Sequence, residues 1–364
     1  MYRRMIVSGV ISLGALLGPK IASATTYTVN CGANGPASVL QSQIDAIGSA
    51  PGNTIAVTGT CNGSVTVTRA DTLTVSNLSL TGSLDLYSSV MVSIPNLQLT
   101  GELSLFNTRQ ATLGDAVING TVTVLHGSLV NLPGLTMSSW SDSSGDHDPN
   151  FSCVGESECT VSQVSLSGSG KSVGTIGLLA GSSSRLNVYG GSISGFDIGV
   201  QAWNNAIIFM NPTCADFKIG SNLSTGVRTT DGGIVKIEGL SDADAAASGC
   251  KGPLHVSIVN NGRFGVLADG GGNAYLYLTN VSGHSIDNIR VQHGSTVRVR
   301  SSTIDAASSG RSARVASQAH LYFDEQDNGP AASSALAGPV CVTGTSSVDT
   351  DNSATVITTT TTCP

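Results

Sequence analysis

Residues 64–139 are four consecutive blocks of 19 residues, 64–82, 83–101, 102–120 and 121–139, with apolar side chains at the same three pairs of positions in each. The first pair is Val65/Val67, Leu84/Leu86, Leu103/Leu105 and Val122/Val124. The second is Leu73/Val75, Val92/Ile94, Ala111/Leu113 and Val130/Leu132, and the third is Leu78/Leu80, Leu97/Leu99, Ala116/Ile118 and Leu135/Met137. Partners in a pair are two residues apart, the period at which a strand points side chains to one face. Three short strands per fixed repeat describe one coil of a parallel β-helix, and no coil buries its apolar face unless another stacks on it.

Composition supports this reading. Charged residues make up 11% of the chain and aromatics 4%, with 44 glycines, which suits narrow coils joined by small turn residues. A Ser/Thr/Gly-rich disordered linker would share that composition, but not the strict apolar spacing or the 40% hydrophobic content.

The expected architecture is all-β, a single right-handed parallel β-helix of roughly eleven coils with a short N-terminal capping helix. At ~4.8 Å per coil the rod would be about 50–60 Å long. Residues 25–63 form the cap and first coil, with a helix over 36–48 that turns Leu40, Ile44 and Ile47 to one side and covers the open end. The 19-residue coils fill 64–139. An acidic disulfide loop, 140–159, interrupts them, and longer coils occupy 160–338 before a C-terminal cap or tail, 339–364. In the longer section, Gly177-Leu178, Gly199-Val200, Gly226-Val227, Gly265-Val266, Asn288-Ile289 and Ser312-Ala313 align. The strands that follow then place Leu186/Val188, Ile208/Met210, Val235/Ile237, Ala274/Leu276, Val297/Val299 and Leu321/Phe323 inward, with an insertion at 239–252.

Residues 1–24 read as a secretory signal peptide. Arg3 and Arg4 supply the basic start, residues 5–18 the apolar stretch, and Ala22, Ser23 and Ala24 the small-residue cleavage site. Its removal takes away Arg3, Arg4 and Lys20 and changes the formal charge from −7 to −10. An acidic mature chain is a poor partner for nucleic acid, and no later segment is apolar enough to span a bilayer. The eight cysteines all follow the signal. An even count suits an oxidising compartment, and proximity suggests Cys31–Cys61, Cys153–Cys159, Cys214–Cys250 and Cys341–Cys363. In the acidic loop, the spacing of Asp142, Asp146 and Asp148 admits a calcium ion but lacks the EF-hand spacing and its glycine, and a solvated loop tied by a disulfide is the stronger reading. No other cofactor is indicated.

The passage from Val29-Asn30-Cys31 to Thr58-Gly59-Thr60-Cys61 resembles the start of secreted bacterial right-handed β-helix proteins of the pectin-lyase-like superfold. The resemblance covers architecture over most of the chain. It implies a choice among pectate and pectin lyases, polygalacturonases, and non-enzymatic adhesins and tailspikes. The hydrolases of that superfold carry Asn-Thr-Asp, Asp-Asp and Gly-His-Gly segments. None occurs here, and Gln292-His293-Gly294 and Leu125-His126-Gly127 match only half of the last.

The register also fixes what faces outward. One column reads Asn187, Phe209, Lys236, Tyr275, Arg298 and Tyr322, and a second Tyr189, Asn211, Glu238, Tyr277, Arg300 and Asp324. A third, from the preceding strand, contains Gln201, Arg228, Leu267, Arg290 and Arg314. Aromatic faces suit sugar rings, and Arg and carboxylate groups suit hydroxyls or uronates. The expected ligand-binding residues are therefore Phe209, Lys236, Glu238, Tyr275, Tyr277, Arg290, Arg298, Arg300, Tyr322 and Asp324, with a polysaccharide or cell-surface glycan as partner. The same columns are compatible with a bare structural ladder in which Arg300 pairs with Asp324. They are also compatible with a polysaccharide lyase using Arg298 or Arg300 as base.

Overall fold

The computed structural model describes residues 24–48, 50–142, 145–147, 150–324, 334–350 and 359–360, with the backbone alone for 140–142, 145–147 and 359. The signal segment expected at 1–24 lies outside the described residues but for its last, Ala24.

Every 19-residue block folds as its apolar pairs dictate. Val65 pairs with Leu84, Leu84 with Leu103 and Leu103 with Val122, all parallel. The second and third pairs stack in the same way, and all of these apolar residues are buried. The coil turns two of its corners through short connections that each contain a residue of positive φ. Asn77, Asn96 and Asp115 adopt positive φ at one corner, and Arg69, Ser88, Asn107 and His126 do so at another. Asn and Asp visit this left-handed region at the lowest cost among residues with a side chain, which explains their recurrence at 19-residue intervals. At the third corner, Gly82, Gly101 and Gly120 stack on each other's carbonyls. A Cβ on Gly101 would lie 2.1 Å from the Gly82 oxygen, and one on Gly120 1.6 Å from the Gly101 oxygen.

Three parallel ladders run through the chain. The first goes from Val65–Thr68 through Val340–Val342 to Thr359–Thr360, the second from Asn53–Asn62 through Leu73–Ser76 to Ser347–Thr350, and the third from Ser79–Thr81 to Ala335–Leu336. The described residues thus form eleven complete three-strand coils between Val65–Thr68 and Ala335–Leu336, with partial coils at both ends. The helix Ser38–Ile47 packs Leu40 and Ile44 into the first coil, with Ile47 against the same core.

The acidic segment is narrower than 140–159. Trp140–Asp142 and Gly145–His147 pair as a small antiparallel hairpin outside the coil. Asn150–Cys153 then continues the first ladder from Val122, and Glu158–Ser167 continues the second and third. Cys153 and Cys159 therefore face inward on two sides of one coil, both fully buried, and their disulfide crosses the interior. Alternation was hard to see here because two of the inward residues are cysteines. Asp148 lies outside the described residues, as do the side chains of Asp142 and Asp146.

Cys31–Cys61 and Cys214–Cys250 are also bonded. Cys341 is disulfide-bonded, while its expected partner Cys363 lies outside the described residues. Cys250 lies within the insertion, which carries a short helix, Asp242–Ala247, capped by the Ser241 hydroxyl accepting from the Asp244 N–H.

In the longer coils a polar stack occupies one corner. Asn222 Oδ1 accepts from the Phe196 N–H at 3.1 Å, and Asn261 Oδ1 accepts from the Asn222 N–H at 3.1 Å. On the next rung His284 replaces Asn, and its Nδ1 accepts from the Asn261 N–H at 3.1 Å. Nε2 then carries the proton and donates to the Ile258 carbonyl at 3.1 Å. Buried N–H groups need such partners.

Candidate functional site

The two outward columns of the second ladder stand in the expected register. Asn187, Phe209, Lys236, Tyr275, Arg298 and Tyr322 pair successively. Beside them Glu238 pairs with Tyr277, Tyr277 with Arg300 and Arg300 with Asp324. Their neighbours Val235, Ile237, Val297 and Val299 point into the core, and period-two alternation turns the polar partners out.

Cations and rings alternate along the first column. Arg185 lies 4.6 Å from the Phe209 ring centroid, and Lys236 lies 5.2 Å from Phe209 and 5.5 Å from Tyr275. Arg298 follows, 5.8 Å from Tyr275 and 5.5 Å from Tyr322, and the His320 ring stacks on Tyr322 at 6.1 Å. In the second column Arg300 lies 5.4 Å from Tyr277.

A groove of about 430 Å³ opens on this face, lined by Glu238, Tyr275, Tyr277, Arg298, Arg300 and Asp324 together with Ile237 and Leu276. Six of the expected ligand-binding residues thus converge. Phe209, Lys236 and Tyr322 belong to the same column but do not line the groove, and Arg290 stands on the first ladder. The ion pair at the site differs from the expected one. Asp324 is 3.9 Å from Arg298 rather than bonded to its cross-strand neighbour Arg300. Arg300 instead leans on Tyr277, and its Nε is shut off from solvent without a hydrogen-bond partner.

At the corner between the two ladders, His293 Nδ1 and Asp269 lie 2.6 Å apart. Burial pulls the Asp269 carboxyl upward, but its bonds with His293 and Gln292 outweigh this and hold it below the ordinary carboxylate value. Sequence reading missed Arg185, Asp287 and the Arg263–Phe264 pair. Arg185 begins its strand, one residue before the inward pattern starts. Phe264 was obscured because Gly265 breaks the alternation: Phe264, Val266 and Ala268 are buried, but so is Leu267.

Among the described residues, no group of three or more His, Cys, Asp or Glu side chains is placed to hold a metal ion, and no helix is long and apolar enough to cross a membrane. Comparisons with protein-family models, with curated proteins and with solved structures find no match. Fold and site together define a disulfide-bonded parallel β-helix with a grooved aromatic and cationic face.

Proposed function

We propose that this chain is a secreted β-helix protein of the pectin-lyase-like kind that binds a polysaccharide along the 187–324 face without chemically altering it. The observation carrying the reading is that the groove falls where the two outward columns place Tyr275, Tyr277, Arg298, Arg300, Glu238 and Asp324 together. Two tyrosine rings offer apolar faces to sugar rings, and the guanidinium and carboxylate groups offer directional bonds to hydroxyls. A pocket with apolar walls and a few convergent polar groups is the usual form of a small-ligand site. The disulfides support secretion, since such bonds persist in oxidising compartments.

The test is a glycan array probed with the native chain and with Tyr275→Ala/Tyr277→Ala. Binding that the double variant loses while keeping a native melting curve supports the proposal. Absence of any glycan signal from the native chain overturns it in favour of a structural rod. Release of unsaturated product from a uronate polymer overturns it in favour of a lyase.

A further inference from the structure

The first ladder carries its own charged column. Gln201, Arg228, Leu267, Arg290 and Arg314 occupy successive rungs. Arg290 and Arg314 are immediate neighbours, ~4.8 Å apart along the rod, and Arg228 lies two rungs from Arg290. Like charges directly opposed on adjacent strands repel.

More positive charge gathers around them. Arg263 and Arg290 lie 5.1 Å and 5.2 Å from the Phe264 ring centroid. Arg311 is buried beside them with its Nε 2.5 Å from Asp287, and Arg290 is 3.9 Å from the other oxygen of that carboxylate. Asp287 is fully buried, so it balances charge from within and leaves the outer face positive. The Arg290 guanidinium is held below the usual arginine range, first by burial and then by Arg314, Arg263 and Arg311, against the pull of Asp287. The Nε atoms of Arg228 and Arg314 are cut off from solvent and have no partner.

This concentration occurs in a chain whose formal charge is −7. A solvated face gains nothing from aligning arginines one rung apart. A ligand bearing regularly spaced oxyanions does, because each guanidinium fork matches a carboxylate or sulfate and the repulsion turns into attraction. Buried Asp287 fixes Arg311 and Arg290 from behind, which reduces the ordering cost of binding.

We propose that Arg228, Arg290 and Arg314, with Arg263 at their edge, form an oxyanion-binding strip that takes the carboxylate or sulfate groups of an acidic polysaccharide lying parallel to the rod axis. The strip is on the first ladder and the groove on the second, so either can fail alone.

The test measures binding of the full chain to three immobilised polymers, one uronate-bearing, one sulfated and one neutral, over a range of salt concentrations. Native protein should bind at least one charged polymer with a steep salt dependence. Arg290→Gln/Arg314→Gln should weaken that binding about tenfold or more and flatten the salt slope. Tyr275→Ala/Tyr277→Ala should leave the salt slope unchanged. The same arginine variant gives up the contacts of Arg290 with Asp287 and Phe264 as well as the repulsion, so it should melt modestly below the native chain without ligand and stay folded where binding is compared. Which charged polymer binds identifies the group recognised. Unchanged affinity in the arginine variant overturns the proposal. So does a lower melting temperature without loss of binding, or a preference for single-stranded DNA over every polysaccharide.

Discussion

Arg298 lies with its guanidinium 5.5 Å from the ring centroid of Tyr322 on the adjoining rung, and the same group reaches Tyr275 on the rung before at 5.8 Å. One cation therefore joins two rings of a column that begins at Asn187, with Arg185 set against its first ring, Phe209. Exposed cation–π contacts contribute about 0.5–1 kcal/mol each, and Arg298 is half exposed, at 50%.

A double-mutant cycle of Arg298→Gln and Tyr322→Leu should therefore give a coupling of about 0.5 kcal/mol in urea unfolding. Arg298→Gln should at the same time weaken glycan binding far more than it weakens the fold, because Arg298 lines the groove. A coupling near zero, measured in low salt, would show that the column is a chance alignment rather than an energetic ladder.

How much of this was legible in the sequence depended on what each residue does. Val65, Leu84, Leu103 and Val122 revealed the coil because burial on a strand forces a period of two, and stacking forces the same residue type onto every rung. The columns through Tyr275 and Tyr277 followed from that register without further information. The pairing of Asp324 with Arg298 did not, since strand register fixes which Cβ atoms are neighbours but not which way a long guanidinium leans. Nor did the continuation of the coil through Phe151 and Cys153, where a hairpin insertion precedes an inward disulfide. The buried Asp287–Arg311 pair was invisible for a similar reason. Both residues sit beside turns, where alternation carries no signal.

The core disulfide should matter in proportion to what it replaces. Cys153 and Cys159 close a loop with a sequence separation of 6, for which loop-closure entropy predicts about 2 kcal/mol. Cys153→Ala/Cys159→Ala should lose about that much, and Cys153→Ser/Cys159→Ser more, because two hydroxyls would then be buried among apolar side chains. Chemical denaturation of the two variants measures both. Equal losses would mean that the interior there admits water.

Glycine stacking at the third corner makes a steeper prediction. Gly101 has φ +138° and no room for a Cβ, which would lie 2.1 Å from a backbone oxygen of the neighbouring coil. Gly101→Ala should cost more than about 3 kcal/mol, since the clash is with backbone that is itself stacked. Gly127, at φ +69° with nothing within 4 Å, provides the control, and Gly127→Ala should cost about 1–2 kcal/mol from conformation alone. Thermal melting of both variants decides. Similar shifts would show that the coil can spread to accept the methyl group.

His284 provides a pH prediction. It occupies the place that Asn222 and Asn261 hold on the two rungs before it. Burial holds it below the ordinary histidine value of 6.5, with the bonds to Asn261 and Ile258 opposing. Because its folded value is lowered, the unfolded chain takes up a proton at this position before the folded one does. Stability rises with pH wherever the unfolded state binds more protons. The contribution of His284 is therefore complete above pH 6.5 and is lost as the pH falls below it towards the folded value. Protonation would put a second donor on Nδ1, facing the Asn261 N–H that it now accepts from at 3.1 Å, and would break the polar stack. His284→Asn restores the group found on the earlier rungs, whose amide oxygen accepts from the same backbone position at any pH in this range. The variant should match the native chain in urea midpoint near neutral pH. On acidification to about pH 5 it should lose less stability than the native chain, the histidine proton uptake having been removed. If the native and variant curves remain parallel across that range, protonation of His284 is not what weakens the fold on acidification.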